Sequence, residues 1–118
     1  MATFNDSGLK SFQATAAALL RGQRVSINSS GLMLASGADN LAVGVLLESV
    51  AASGVGTVKL FTSPGTFFMS AAGPITAGAT LFAIAGGLVD DAGSVTIPFI
   101  ACEAAAAVGN LIECAAKA

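Results

Sequence analysis

Two cysteines, a pair of adjacent aspartates and a scatter of serines and threonines are the residues here with chemistry to offer, and none has the partner that would make it a catalyst. The chain contains no histidine, so the commonest general base and the usual activator of serine or cysteine nucleophiles is missing. A carboxylate can serve as a base. Asp39, between Ala38 and Asn40, and the Asp90-Asp91 pair, followed by Ala92-Gly93, however, stand in turn-like surroundings, where aspartate is favoured because it bonds its own backbone. As oxygen ligands, Asp90 and Asp91 lack the alternate spacing of a calcium loop. Cys102 and Cys114 without an imidazole do not make a zinc site. Gly54-Val55-Gly56-Thr57 and Gly86-Gly87-Leu88-Val89 have the look of phosphate loops, but no Gly-Lys-Ser/Thr follows and no strand passes into a helix, so they read as hairpin turns. No catalytic residue, cofactor or metal is expected, and the chain reads as something other than an enzyme.

Composition says what such a chain is made for. Hydrophobic residues are 54% of the total and charged residues 10%, against about 25% charged in an ordinary soluble domain. Much of the apolar content is alanine and glycine, which suit close contact between subunits. The net charge of −2 is spread without a basic stripe, and tryptophan and tyrosine are absent. A nucleic-acid partner, which needs phosphate neutralisation and base stacking, is therefore not expected. Leu60 to Val89 carries no charge, but Pro64-Gly65, Gly73-Pro74 and Gly86-Gly87 leave no apolar stretch long enough to span a membrane as a helix. The N-terminus lacks the basic and apolar regions of a secretory signal, so synthesis in the cytoplasm and buried, unpaired thiols at Cys102 and Cys114 are expected.

These residues are positioned by short elements. Apolar runs bounded by Gly, Pro, Asn, Asp or Ser recur from residue 22 onward and predict strands at 23–27, 32–35, 41–47, 57–61, 66–70, 80–84, 88–89, 94–104 and 110–114. Helical spacing occurs mainly near the start, where Leu9, Phe12, Ala16, Leu19 and Leu20 can share one helix face after a cap at Asp6 or Ser7; an extended arm is the other reading of that segment.

The order of features in residues 22–60 returns in 78–114. Gly22, a strand, Gly31-Leu32, a turn at Asp39-Asn40, Leu41 to Glu48, a small-residue stretch and Thr57 to Leu60 are echoed by Gly78, Thr80 to Ile84, Gly87-Leu88, Asp90-Asp91, Ile97 to Glu103, an alanine-rich stretch and Leu111 to Cys114. Two single-residue gaps bring them into line. The expectation is a mainly β, compact barrel-like or tulip-like single domain at 21–118 with two related halves, preceded by an N-terminal arm at 1–20.

Phenylalanines carry the most specific positional signal. Alternation in Thr57 to Phe61 puts Val58 and Leu60 on one face and Lys59 and Phe61 on the other, and the adjacent Phe67 and Phe68 must point to opposite faces of any strand. Either a closed fold covers both faces, or Phe61 and one of Phe67 and Phe68 belong to a subunit interface. With the arm residues, the candidate contacts are Phe4, Leu9, Phe12, Leu19, Leu20, Phe61, Phe67 and Phe68.

Arg21-Gly22-Gln23-Arg24-Val25, Ala42-Val43-Gly44-Val45-Leu46 and Gly56-Thr57-Val58 in the first half, with Ile75-Thr76-Ala77-Gly78-Ala79-Thr80-Leu81 and Ile100-Ala101-Cys102-Glu103-Ala104-Ala105 in the second, give the chain an order that resembles the capsid decoration, or cement, proteins of tailed bacteriophages. The likeness runs from about residue 19 to 114, and each motif is only a turn glycine among small and apolar residues. Ile100 departs from the pattern, standing where the echo wants a counterpart of Gly44. The resemblance implies a homo-oligomer, a trimer, on the outer surface of a phage head in the virion, with the major capsid protein as partner and the arm reaching to the shell or a neighbour. A phage head fibre or adhesin base, expected to carry a further receptor-binding region, and a small β-barrel binding module are the alternatives.

Overall fold

The computed structural model describes residues 8–117. Ten strands make up its regular structure, and there is no helix among the described residues. They are β1 (Leu9–Gln13), β2 (Arg24–Ile27), β3 (Met33–Ala35), β4 (Gly44–Leu46), β5 (Val55–Leu60), β6 (Phe67–Ser70), β7 (Thr80–Ile84), β8 (Leu88–Asp90), β9 (Thr96–Ala101) and β10 (Leu111–Ala116). All nine strands read from the sequence are present, so the mainly β expectation holds.

The strands form two antiparallel five-stranded sheets of the same order, β1-β5-β4-β2-β3 and β6-β10-β9-β7-β8. Each sheet curls until its edge strands meet. In the first, Ala14 lies beside Met33 in a parallel bridge and the Thr15 N–H donates to the Met33 carbonyl (3.1 Å). In the second, Ala71 bridges Val89 in the same sense and the Ala72 N–H donates to the Val89 carbonyl (2.7 Å). Each half is therefore a small barrel, closed between its edge strands at one bridge and one hydrogen bond, which covers part of the sheet edge that invites aggregation. The echo extends to the irregular segments. Leu19 and Val50 exchange backbone hydrogen bonds (2.9 and 2.8 Å) as Ile75 and Ala105 do (3.0 and 3.0 Å), and the N–H groups of Gly22 and Gly78 both reach back to strand ends, at Leu46 and Ala101.

Alternation decides which side chains fill each barrel. Val25, Leu46 and Val58 point inward in the first, with Ala14, Leu19, Met33 and Val50, and Phe12, Ile27 and Leu60 pack against them. Leu81, Val89, Ala101, Ile112 and Cys114 do so in the second, with Phe67, Met69 and Phe99. Val25 and Leu81, Met33 and Val89, and Val58 and Cys114 hold equivalent places, all buried.

The reading of residues 1–20 as an arm separate from the body is corrected for the part described. Leu9 to Gln13 pair along their whole length with β5, from Leu9 opposite Lys59 to Gln13 opposite Val55, and Ala14 and Leu19 are core residues. The helical spacing of Leu9, Phe12, Ala16, Leu19 and Leu20 loses to this pairing, which gives β5 a partner and buries Phe12. Phe4 lies outside the described residues.

Candidate interaction surfaces

The first surface is internal, where one barrel meets the other. On β2, Val25 and Ile27 face the first barrel's interior, so Arg24 faces out, toward the second barrel, and is nonetheless fully buried. Its guanidinium is surrounded by carbonyl oxygens. Nε donates to Leu88 (3.2 Å), and Nη2 donates to Leu88 (3.0 Å), Ile84 (2.9 Å) and Gly37 (3.1 Å). Burial lowers its pKa from the usual arginine range, and the nearby Asp39 carboxylate opposes that shift. The charge is held by dipoles and by Asp39 rather than by a direct ion pair.

Backbone contacts extend this seam. The Arg24 N–H donates to the Gly87 carbonyl (2.8 Å), the Gly87 N–H to Ser36 (2.7 Å), the Ser70 N–H to Gly22 (2.9 Å), and the Gln23 side-chain amide to Gly86 (2.9 Å). Two glycines make the approach possible. A side chain at Gly22 would overlap Leu111, one at Gly87 would press on the Arg24 carbonyl at 2.7 Å, and both have positive φ (89° and 75°).

Beside Arg24 the seam is apolar. Val45 of β4 joins the second barrel's core, and Phe61 stacks edge-on against Phe67 (5.4 Å between ring centres) and tilted against Phe99 (4.8 Å). Lys59 lies over the Phe67 ring at 4.7 Å and donates to the Thr66 carbonyl, while Thr66 donates to Glu113 (2.6 Å). A cleft of about 160 Å³ opens between the barrels, lined by Ala42, Phe61, Ile97 and Phe99 with Asn40 and Lys117 at its polar side. The Arg24 guanidinium also lines it, but its donors are engaged by carbonyls.

The second surface is external. On the outer side of β6, Phe68 lies opposite Glu113 and is 47% exposed. On the outer face of the first barrel Leu9, Leu47 and Val55 are exposed, and Leu20 projects from the loop after Leu19.

Of the residues expected at contacts, Phe68, Leu9 and Leu20 are thus at the surface. Leu19 and Phe67 are core, and Phe12 packs against the first barrel's core, because inward alternation and the barrel closure claim them. Phe61 does sit at an interface, but one between the two halves of the same chain. Alternation in the 23–27 strand puts Val25 and Ile27 inward and Arg24 and Ser26 outward, and an outward arginine reads as solvated, so the sequence does not single Arg24 out. The paired alternation of β2, with Arg24 opposite the buried Val45, is visible only once the second barrel is in place.

The groups with potential chemistry are occupied in turns. Asp39 Oδ1 accepts from the Leu41 N–H (3.0 Å) and the Ser36 hydroxyl (3.0 Å), and Asp91 Oδ2 from the Thr76 N–H (3.1 Å). No three Cys, Asp, Glu or His side chains gather to hold a metal ion among the described residues. Both cysteines are unpaired. Cys114 is fully buried, and burial, with the neighbouring Cys102 sulfur, pushes its pKa up to about 12. The expectation for Cys102 is corrected: it lies just past the end of β9 and is exposed.

The fold defines a class, a tandem of two equivalent five-stranded barrels joined by a buried seam. The crystal structure of the head fibre gp8.5 N base in bacteriophage phi29 is similar to it, with a TM-score of 0.75 at 15% sequence identity over 92% of this chain and 94% of that one. No family model and no curated protein matches the sequence.

Proposed function

We propose that this chain is a structural protein of a tailed-phage head, a homotrimer bound to the outer surface of the capsid through the major capsid protein, where it stabilises contacts between capsid subunits. The observation that carries the reading is the likeness of almost the whole chain to a phage head fibre base. The exposed apolar side chains Leu20, Val55 and Phe68 on a rigid, closed scaffold support it, since they suit protein contact better than solvent. The chain works by contact area rather than chemistry.

A second reading is favoured by the same neighbour: the chain is the capsid-attached base of a head fibre. The two differ in what binding does to the shell. Purified heads lacking the protein are incubated with it, sedimented, and heated. Co-sedimentation with a raised melting temperature of the heads supports the decoration role, and co-sedimentation with unchanged melting supports the fibre base. Failure to co-sediment overturns the capsid reading.

A further inference from the structure

The seam between the barrels is built from one surface of the first barrel and a different surface of the second, and because the barrels are equivalent each carries a copy of both. We propose that the two copies left over, one on each barrel, bind each other between chains, so that the second barrel of one molecule docks on the first barrel of the next.

The correspondence is residue by residue. Within the chain, Gly22 of the first barrel sits against Leu111 and Ser70 of the second. The equivalent of Gly22 is Gly78, which has the same backbone conformation (φ 84°) and, unlike Gly22, nothing within 4 Å of where a side chain would begin. The equivalents of Leu111 and Ser70 are Val55 and Gln13, opposite each other on β5 and β1. Val55 is 66% exposed, whereas Leu111 is half-buried by the seam. The surface around Gly78, Thr76-Ala77-Gly78-Ala79, carries no charge and no side chain larger than threonine, which lets a neighbouring backbone approach as closely as at Gly22.

One element is not repeated. The equivalent of Arg24 is Thr80, so the guanidinium clamp has no counterpart, and the contact between chains must be weaker than the seam within one. Association is therefore reversible and concentration-dependent. A contact of this kind joins different surfaces, so it generates closed rings or open chains and not face-to-face dimers. The inference rests on the homo-oligomer part of the proposed function and supplies its contact.

Light scattering of the wild-type chain and of Val55→Asp tests it, with circular dichroism to show that the variant keeps its strands. The wild type is expected above the 11.5 kDa monomer mass at high concentration, and Val55→Asp is expected to weaken association at least about tenfold. In a Cys102→Ser background, Val55→Cys with Ala77→Cys should form reducible intermolecular links on oxidation, and Val55→Cys alone should not. A monomeric wild type overturns both the oligomer and this contact. An oligomeric wild type whose mass Val55→Asp leaves unchanged, or Val55→Cys linking to itself as well as to Ala77→Cys, overturns this contact alone.

Discussion

Arg24 of the first barrel donates twice to the carbonyl of Leu88 in the second, from Nε at 3.2 Å and from Nη2 at 3.0 Å. That carbonyl opens β8, and the same guanidinium also holds the Ile84 carbonyl at the end of β7. One side chain therefore pins the whole β7–β8 hairpin against β2. Arg24→Met keeps the buried stem and deletes the charged donors to the Gly37, Ile84 and Leu88 carbonyls. The expected loss is about 3 kcal/mol, since a hydrogen bond to a charged group contributes roughly 1.5–3 kcal/mol. Urea unfolding measures it, and a variant within experimental error of the wild type would show that the seam does not depend on the guanidinium.

Phe61 and Phe68 give opposite expectations although both were candidate contacts. Phe61 packs against Phe67 and Phe99, so Phe61→Ala should cost about 2–3 kcal/mol, the lower part of the range for aromatic truncation because the ring is only half-buried. Phe68→Ala should stay within about 0.5 kcal/mol, as for surface positions away from caps and networks. In the head co-sedimentation assay the order reverses, with Phe68→Ala weakening binding while the stability of the chain is unchanged. Equal stability losses at the two positions would mean that Phe68 is covered by its own fold.

Sequence periodicity located every strand from β2 to β10 because each has a breaker at its borders and an alternating or wholly apolar interior. It failed for β1. Leu9-Lys10-Ser11-Phe12-Gln13 places a single large apolar side chain, Phe12, inward, and its strand state comes from pairing with β5, a contact remote in sequence. The echo was legible through turn glycines such as Gly22 and Gly78, whose positive φ is demanded by the same corner in both halves. That the halves are two closed barrels was not, since the closing bridges at Ala14 and Ala71 rest on alanines with no pattern of their own. The seam was hidden for a related reason: Arg24, Val45 and Phe61 occupy outward positions of the first barrel, and outward means solvent until a second barrel covers them.

Cys114 makes stability depend on alkaline pH. Its pKa rises from the ordinary value near 9 to about 12 in the fold, so above pH 9 the unfolded chain releases a proton that the folded chain keeps. The folded state binds more protons in that window, and stability falls as pH rises, by up to about 1.4 kcal/mol per unit between pH 9 and 12. Below pH 9 the contribution is fully present. Cys114→Val places at this site the residue that the first barrel has at Val58. It should change stability at pH 7 by less than about 1.5 kcal/mol and remove that share of the alkaline decline, measured as the difference between the two proteins' urea midpoints at pH 8 and 10.5. Parallel pH profiles would show that the buried thiol does not titrate separately. A thiol reagent should modify Cys102 in the native state and Cys114 only on unfolding.

Removal of residues 1–20 separates an appended arm from a structural strand. An arm ordered only by docking contributes nothing to the isolated chain, so its loss would leave the melting temperature unchanged. Here the deletion takes away β1, the Ala14–Met33 closure and the paired hydrogen bonds between Leu19 and Val50. Val58 and Gly56 on β5 lose their cover, and Val25, Met33 and Leu46 face an opened barrel whose edge strand is bare. The truncated chain is expected to be insoluble, or to melt tens of degrees lower with its first barrel unfolded. Since failure to fold could reflect truncation itself, Phe12→Asp in the full chain is the finer probe. It buries a carboxylate against the first barrel's core and should lower the melting temperature by about 10 °C or more, at roughly 4–8 °C per kcal/mol for a unit of this size. Differential scanning calorimetry reads both variants. A melting temperature unchanged in the truncation and in Phe12→Asp would return this segment to the role of an arm and leave β5 as the true edge of the first sheet.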